Sequence, residues 1–144
     1  MNKINVTDAR KDMSSFFDSV IHEKPIILKR RKYEAVLAEK SLLAMMLEYA
    51  TINVITIEGK GKWTYRATTL YITGEGETKV EAEDKLCEQL LSYANDVYDN
   101  FMFYYYGQNI KSKLPYIFNI LLCEDANDVK RILNYKQNVK KNKK

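Results

Sequence analysis

The sequence predicts an α+β protein built from two small modules and a basic tail. Three observations carry this expectation. Residues 1–50 alternate short extended runs with helical periodicity. At Thr51 the texture switches to β-branched and aromatic residues that lead into a long amphipathic pattern, and apolar periodicity stops after Tyr135. A chain of 144 residues with 46% hydrophobic content holds apolar material for one domain or two small ones.

Residues 3–6 read as a short strand. Thr7 stands where a cap is needed, with Asp8 in the first turn, where the helix dipole favours negative charge. Ala9, Met13, Phe16, Phe17 and Val20 recur at helical spacing, so one helix is expected over about residues 8–21. Pro25 closes the connection. The run Ile26-Ile27-Leu28, the basic group Lys29-Arg30-Arg31-Lys32 and the run Glu34-Ala35-Val36-Leu37-Ala38 then predict a hairpin with a basic tip. Ser41 is the expected cap of a second helix carrying Leu42, Leu43, Met45, Met46 and Tyr49, which is more apolar than a surface helix usually is.

In the second module, residues 51–135, Ile52, Val54, Ile55 and Ile57, then Gly59-Lys60-Gly61, then Trp63 to Ile72 predict a two-stranded hairpin closed by Gly74-Glu75-Gly76. Thr78-Lys79-Val80-Glu81 has the spacing of a capping box. A long helix should follow, through Leu86, Leu90, Ala94, Val97, Tyr98, Phe101 and Tyr105 to about residue 106, with Gly107 as its stop. Pro115 suits the first turn of a further helix with Ile117, Phe118, Leu121 and Leu122. Glu124-Asp125 opens a last short helix with Val129, Ile132 and Leu133, for about three helices in all. Residues 136–144 read as a disordered basic tail.

Charge is divided unevenly along the chain. Residues 1–50 carry nine Lys/Arg against seven Asp/Glu, residues 51–135 nine against twelve, and residues 136–144 five against none. The basic character therefore lies at the two ends. Cys87 and Cys123 lack the spacing of a zinc or redox pair and fall in apolar stretches, as buried core residues do. His22, in the polar segment His22-Glu23-Lys24, is expected in a solvated loop. No metal or cofactor is implied. There is no paired-carboxylate motif, no glycine-rich phosphate loop and no nucleophile with an identifiable base, so a non-enzyme is expected. The absence of a long apolar run and of a signal-peptide pattern leads to the expectation of a soluble cytoplasmic protein without membrane contact.

A strand, a helix, a basic-tipped hairpin and an apolar helix within fifty residues bury too little surface to fold well alone, so a two-fold contact through the Ser41 to Tyr49 helix and the adjoining hairpin is expected. The run Ile4-Asn5-Val6-Thr7-Asp8-Ala9-Arg10-Lys11-Asp12-Met13 resembles the opening of Phd/YefM (prevent-host-death) antitoxins, a short strand leading to an "xAR" helix start. Pro25-Ile26-Ile27-Leu28-Lys29-Arg30-Arg31 resembles the family's following strand, and Glu34-Ala35-Val36-Leu37 with Leu42 and Leu43 its return strand and second helix. The resemblance covers about the first fifty residues. It implies a dimer, or a higher homo-oligomer, that lays basic elements on palindromic operator DNA to autorepress, and that neutralises a cognate toxin protein.

On that resemblance the DNA-facing residues are Thr7, Arg10 and Lys11 at the first helix and Arg30, Arg31 and Lys32 at the hairpin tip. The planar fork of an arginine matches the two acceptors of guanine, and a basic tip adds phosphate contacts. Asp8 and Asp12 flank Arg10 and Lys11 and reduce the local positive field. The segment Gly76-Glu77-Thr78-Lys79-Val80-Glu81-Ala82 is similar to the "G-x-T-x-x-E-A" junction of HicB-type antitoxins, but a helix start with good local capping chemistry is the preferred reading of it. In the aromatic run Phe101 to Tyr106, Phe101 and Tyr105 suit a core, whereas Phe103, Tyr104 and Tyr106 are candidates for a contact with the toxin or a second subunit. The competing readings are a stand-alone transcriptional regulator whose later module dimerises or senses a ligand, and a pure interaction module.

Overall fold

The computed structural model describes residues 1–107 and 109–136. It divides into a first compact unit, Met1–Met46, and a second that begins at Leu47. Two sheets and seven α-helices among the described residues make the protein α+β, as its sequence predicts.

In the first unit, β1 (Lys3–Asn5) runs straight into α1 (Val6–Lys11) and α2 (Met13–His22), followed by β2 (Ile26–Arg30), β3 (Tyr33–Leu37) and α3 (Lys40–Met46). β2 is central, with β1 parallel to it and β3 antiparallel on the outer edge. Ala9, Phe16, Val20 and Ile26 form a small core, joined by Ile4, Leu28 and Leu37.

The single helix expected over residues 8–21 is in fact two. α1 begins at Val6, so Thr7 lies inside it and does not cap; Asn5 holds the cap position with no side-chain hydrogen bond. The break falls at Asp12, whose carboxylate accepts from the Ser15 N–H at 3.0 Å and from the Ser15 hydroxyl at 2.8 Å. The backbone bond, then the hydroxyl bond, hold the Asp12 carboxyl below its ordinary range. With the stripe interrupted there, Phe16 and Val20 stay buried while Met13 and Phe17 face solvent. His22 belongs to the last turn of α2 and not to a loop, and it is exposed. Ser41 is not a cap either: it donates its hydroxyl to the carboxylate of Glu39, the residue directly before α3, and α3 ends before Tyr49.

The second unit has β4 (Ile52–Gly59), β5 (Lys62–Ala67), β6 (Ile72–Gly76), α4 (Lys79–Asp99), α5 (Phe101–Gly107), a 3-10 turn at Lys111–Lys113, α6 (Leu114–Leu121), α7 (Ala126–Val129), a second 3-10 turn at Lys130–Ile132 and β7 (Leu133–Tyr135). The sheet order is β6-β5-β4-β7, with β7 parallel to β4. Four strands thus replace the expected two-stranded hairpin. The run from Trp63 to Ile72 breaks at a turn over residues 68–71, where the Thr68 N–H donates to the Asn53 carbonyl at 2.9 Å. Gly74-Glu75-Gly76 is strand, not a terminator.

Packing explains these glycines. A Cβ on Gly74 would stand 2.2 Å from the Leu86 nitrogen and 2.4 Å from the Ala82 oxygen, and one on Gly76 would stand 2.7 Å from the Ala82 nitrogen. The backbone of α4 therefore lies directly on β6, a closeness only glycine allows. The capping box forms with one shift. The Glu81 N–H donates to the Thr78 hydroxyl at 3.1 Å, and the Glu81 carboxylate accepts from the N–H of Glu77, one residue before the cap, at 2.9 Å.

Ala82, Leu86, Leu90, Ala94 and Val97 of α4 bury against Ile52, Val54, Tyr65, Ala67, Ile117, Ile120 and Val129. Cys87 joins this core, and burial pushes its thiol up to about 12; Cys123 is only half-buried. The long helix expected to reach residue 106 ends at Asp99, because the Asn100 amide turns back to the Asp96 carbonyl at 3.1 Å and carboxylate at 2.9 Å, and α5 starts anew. Pro115 lies in the first turn of α6, as expected. The last predicted helix is shorter: Asp125 caps α7 through the Asp128 N–H at 2.8 Å, Ile132 is in a 3-10 turn, and Leu133 opens β7.

β7 is tied down by several groups. The Tyr135 hydroxyl donates to the Glu83 carboxylate, the Asn134 amide bonds Asn53 at 3.1 Å, and the Lys136 N–H donates to the Val54 carbonyl at 3.1 Å. The predicted disordered tail falls, from residue 137 onward, outside the described residues. Among the described residues no helix is long and apolar enough to cross a membrane.

Candidate nucleic-acid interface and partner surface

The basic tip is a tight hairpin turn. Arg30 pairs with Tyr33 across the ladder, leaving Arg31 and Lys32 as the connection, and Arg31 has φ of 55°. A left-handed conformation strains any residue with a Cβ, and glycine or asparagine is the usual occupant. Beside this turn, Asn5, Val6, Thr7 and Asp8 from the β1–α1 junction and Lys29, Arg30 and Arg31 from the hairpin line a concave surface of about 470 Å³. The parallel register that sets Asn5 opposite Lys29 brings the two segments together.

Of the predicted DNA-facing residues, the groove collects Thr7, Arg30 and Arg31, and it adds Asn5 and Lys29. Arg10 and Lys11 are exposed in the last turn of α1, away from its N-terminus. Lys11 is paired with Asp8 at 2.9 Å, a contact worth little in water and open to exchange for a phosphate. Lys32 lies over the Tyr33 ring at 5.4 Å. On the same sheet Lys3 bonds Glu34 at 2.9 Å, which lowers the Glu34 carboxyl from its ordinary value. Lys29 stands in the basic run of the hairpin, whereas Asn5 reaches the groove only because β1 pairs in parallel with β2.

A second surface lies on the later unit. Phe103 is 65% exposed and Tyr106 75%, and Tyr98 and Met102 are exposed as well. Met102 and Tyr106 stand four apart on α5, the spacing of one helix face, whereas Tyr98 lies on α4 before the break. Tyr104 differs: it is half-buried, donates its hydroxyl to the Asp96 carboxylate, and meets Tyr93 edge-on at 6.5 Å. The bond to Asp96 raises the Tyr104 phenol above its ordinary value. Phe101, half-buried, stacks on Tyr105 at 5.6 Å and meets Phe118 at 6.3 Å. Phe101, Tyr104 and Tyr105 thus fix α5, while Phe103 and Tyr106 remain open.

Residues 1–135 match the PHD-like family model, described as the antitoxin of a RelE/RelB toxin–antitoxin system. The chain belongs to this antitoxin family. A crystal structure from Syntrophomonas wolfei subsp. wolfei, described as the antitoxin part of a toxin/antitoxin system, superposes on the antitoxin with a TM-score of 0.85 and 28% identity, covering 94% of this chain and 99% of that one. No curated protein matches the sequence. Both matches run well past residue 50, so the folded second unit of this antitoxin belongs to the family's plan.

Proposed function

We propose that this antitoxin is a cytoplasmic dimer of the Phd/YefM kind that binds operator DNA through its first unit, represses its own transcription, and covers its cognate toxin with the second. It works by binding, without catalysis or cofactor. The groove of Thr7, Lys29, Arg30 and Arg31 carries the reading, because it places three cations around a helix start and keeps one of them in a strained backbone conformation. Strain held at an exposed arginine, where glycine would relax the turn, supports a role for that side chain in binding. Arg10, Lys11 and Lys32 extend the basic surface toward flanking phosphates.

The test is a gel shift with the DNA upstream of the antitoxin's own gene. Arg10→Ala combined with Arg31→Gly, the latter chosen because glycine accepts the φ of Arg31, should weaken binding by roughly a hundredfold or more while the dimer persists. Unchanged affinity would remove the DNA-binding assignment. For the partner surface, Phe103→Ala with Tyr106→Ala should abolish rescue of cells expressing the neighbouring toxin gene and leave the gel shift intact. Full rescue by this variant would place toxin binding elsewhere.

A further inference from the structure

We propose that the second unit also carries a surface for single-stranded nucleic acid, formed by Tyr71 with Lys113 over it and Tyr105 with Lys111 over it. Four other cations of this unit are tied to carboxylates: Lys62 to Glu75, Lys85 to Glu81, Lys130 to Asp84 and Arg131 to Asp128. Lys111 and Lys113 pair with no carboxylate among the described residues. Each lies over an aromatic ring instead. The Lys111 ammonium is 4.7 Å from the Tyr105 centroid and the Lys113 ammonium 5.1 Å from that of Tyr71. One three-residue turn, Lys111–Lys113, thus supplies the ammonium of both pairs.

Tyr71 is the unusual member. It has φ of 58° at the turn between β5 and β6, and it is 79% exposed. Nothing in the core requires a tyrosine there, and glycine or asparagine would take the conformation without strain. An exposed ring in that position with a cation over it is matched by a ligand that offers flat π-faces and anionic links at short intervals. A nucleobase can take the ring face that the ammonium covers, while the displaced lysine moves onto the adjoining phosphate. Residues 51–135 carry twelve carboxylates against nine cations, and Lys111 and Lys113 are among the five of those cations that form no salt bridge among the described residues. An acidic peptide would satisfy the lysines and leave the Tyr71 ring without a role, so the ring decides for nucleic acid.

The test titrates the full chain into a short fluorescein-labelled oligouridine and follows anisotropy at low and raised salt. Tyr71→Asn keeps the turn, since asparagine accepts a positive φ, and should weaken binding about tenfold; Tyr71→Phe should retain it. Lys111→Gln with Lys113→Gln should weaken binding about as much and flatten its salt dependence. In the background of Arg10→Ala with Arg31→Gly in the first unit, Tyr71→Asn should cause the same fold loss of oligouridine binding, which separates this surface from the proposed operator groove. The proposal is overturned if the wild-type chain does not bind, if Tyr71→Asn binds as wild type, or if the first-unit variant alone abolishes the signal. It is equally overturned if polyglutamate of matched charge displaces the probe as well as unlabelled oligouridine does, because the surface is then a general anion site.

Discussion

Gly74→Ala should unfold the second unit, or leave it so weakened that its urea midpoint collapses while the first unit is untouched. The added methyl carbon would sit 2.2 Å from the Leu86 nitrogen, 2.6 Å from its Cα and 2.4 Å from the Ala82 oxygen. All three are backbone atoms of α4, so no side-chain rotation relieves the clash. Either the helix lifts off β6 or the strand leaves the sheet, and both expose the row of Ala82, Leu86 and Leu90. Overpacking a core usually costs about 1–3 kcal/mol, and a contact with rigid backbone belongs at or above the top of that range. Total stabilities are only about 5–15 kcal/mol, so such a loss is a large share.

Gly107→Ala is the matched control, since nothing lies within 4 Å of its added carbon. It should be neutral or slightly stabilising. Circular dichroism and urea melts of both variants measure the difference, and a wild-type midpoint for Gly74→Ala would refute the close packing of α4 on β6. On the division of roles proposed above, Gly74→Ala should lose toxin rescue in cells and keep the operator gel shift.

The second large effect concerns association. Met45→Asp with Met46→Asp should convert the antitoxin to a monomer in light scattering and lower its operator affinity by roughly a hundredfold or more. α3 buries none of its residues, and Met45 and Met46 are exposed, as is Val36 on the edge strand β3. A seven-residue helix does not hold itself together in water without packing. The first unit offers it little, since its core is four buried residues. A second copy laid across β3 and α3 satisfies the open strand edge and the methionines at once. In the dimer proposed above, two linked half-sites would share one binding event, so affinity should fall steeply when they separate. A variant that stays dimeric would show that another surface joins the subunits.

Local chemistry made much of this legible. The Pro25 boundary, the basic tip, the Thr78 cap and the Pro115 start all depend on neighbours within a few residues, and each stands where the sequence placed it. What escaped depends on distant partners or on one competing hydrogen bond. Asp12 breaks a stripe that looks continuous because its carboxylate prefers Ser15. Asn100 does the same to the long helix. Gly74 and Gly76 look like punctuation until α4 is seen lying on them. At the candidate interface the hairpin cations were visible, yet Asn5 joins them only through the β1–β2 pairing. Tyr71 left no trace in the sequence, since its interest lies in its φ and in a lysine some forty positions later.

The placement of β7 bears on timing during synthesis. Leu133, Asn134 and Tyr135 pair with Ile52, Asn53 and Val54, so the sheet's last neighbour of β4 emerges about eighty residues after β4 itself. All the strands of the first unit are present once Met46 has been made. At translation speeds of about 5–20 residues per second, the remainder takes roughly 5–20 s to follow. Over that interval a nascent antitoxin holds its first unit complete and its second unfinished, so the two activities proposed for it would come into force one after the other.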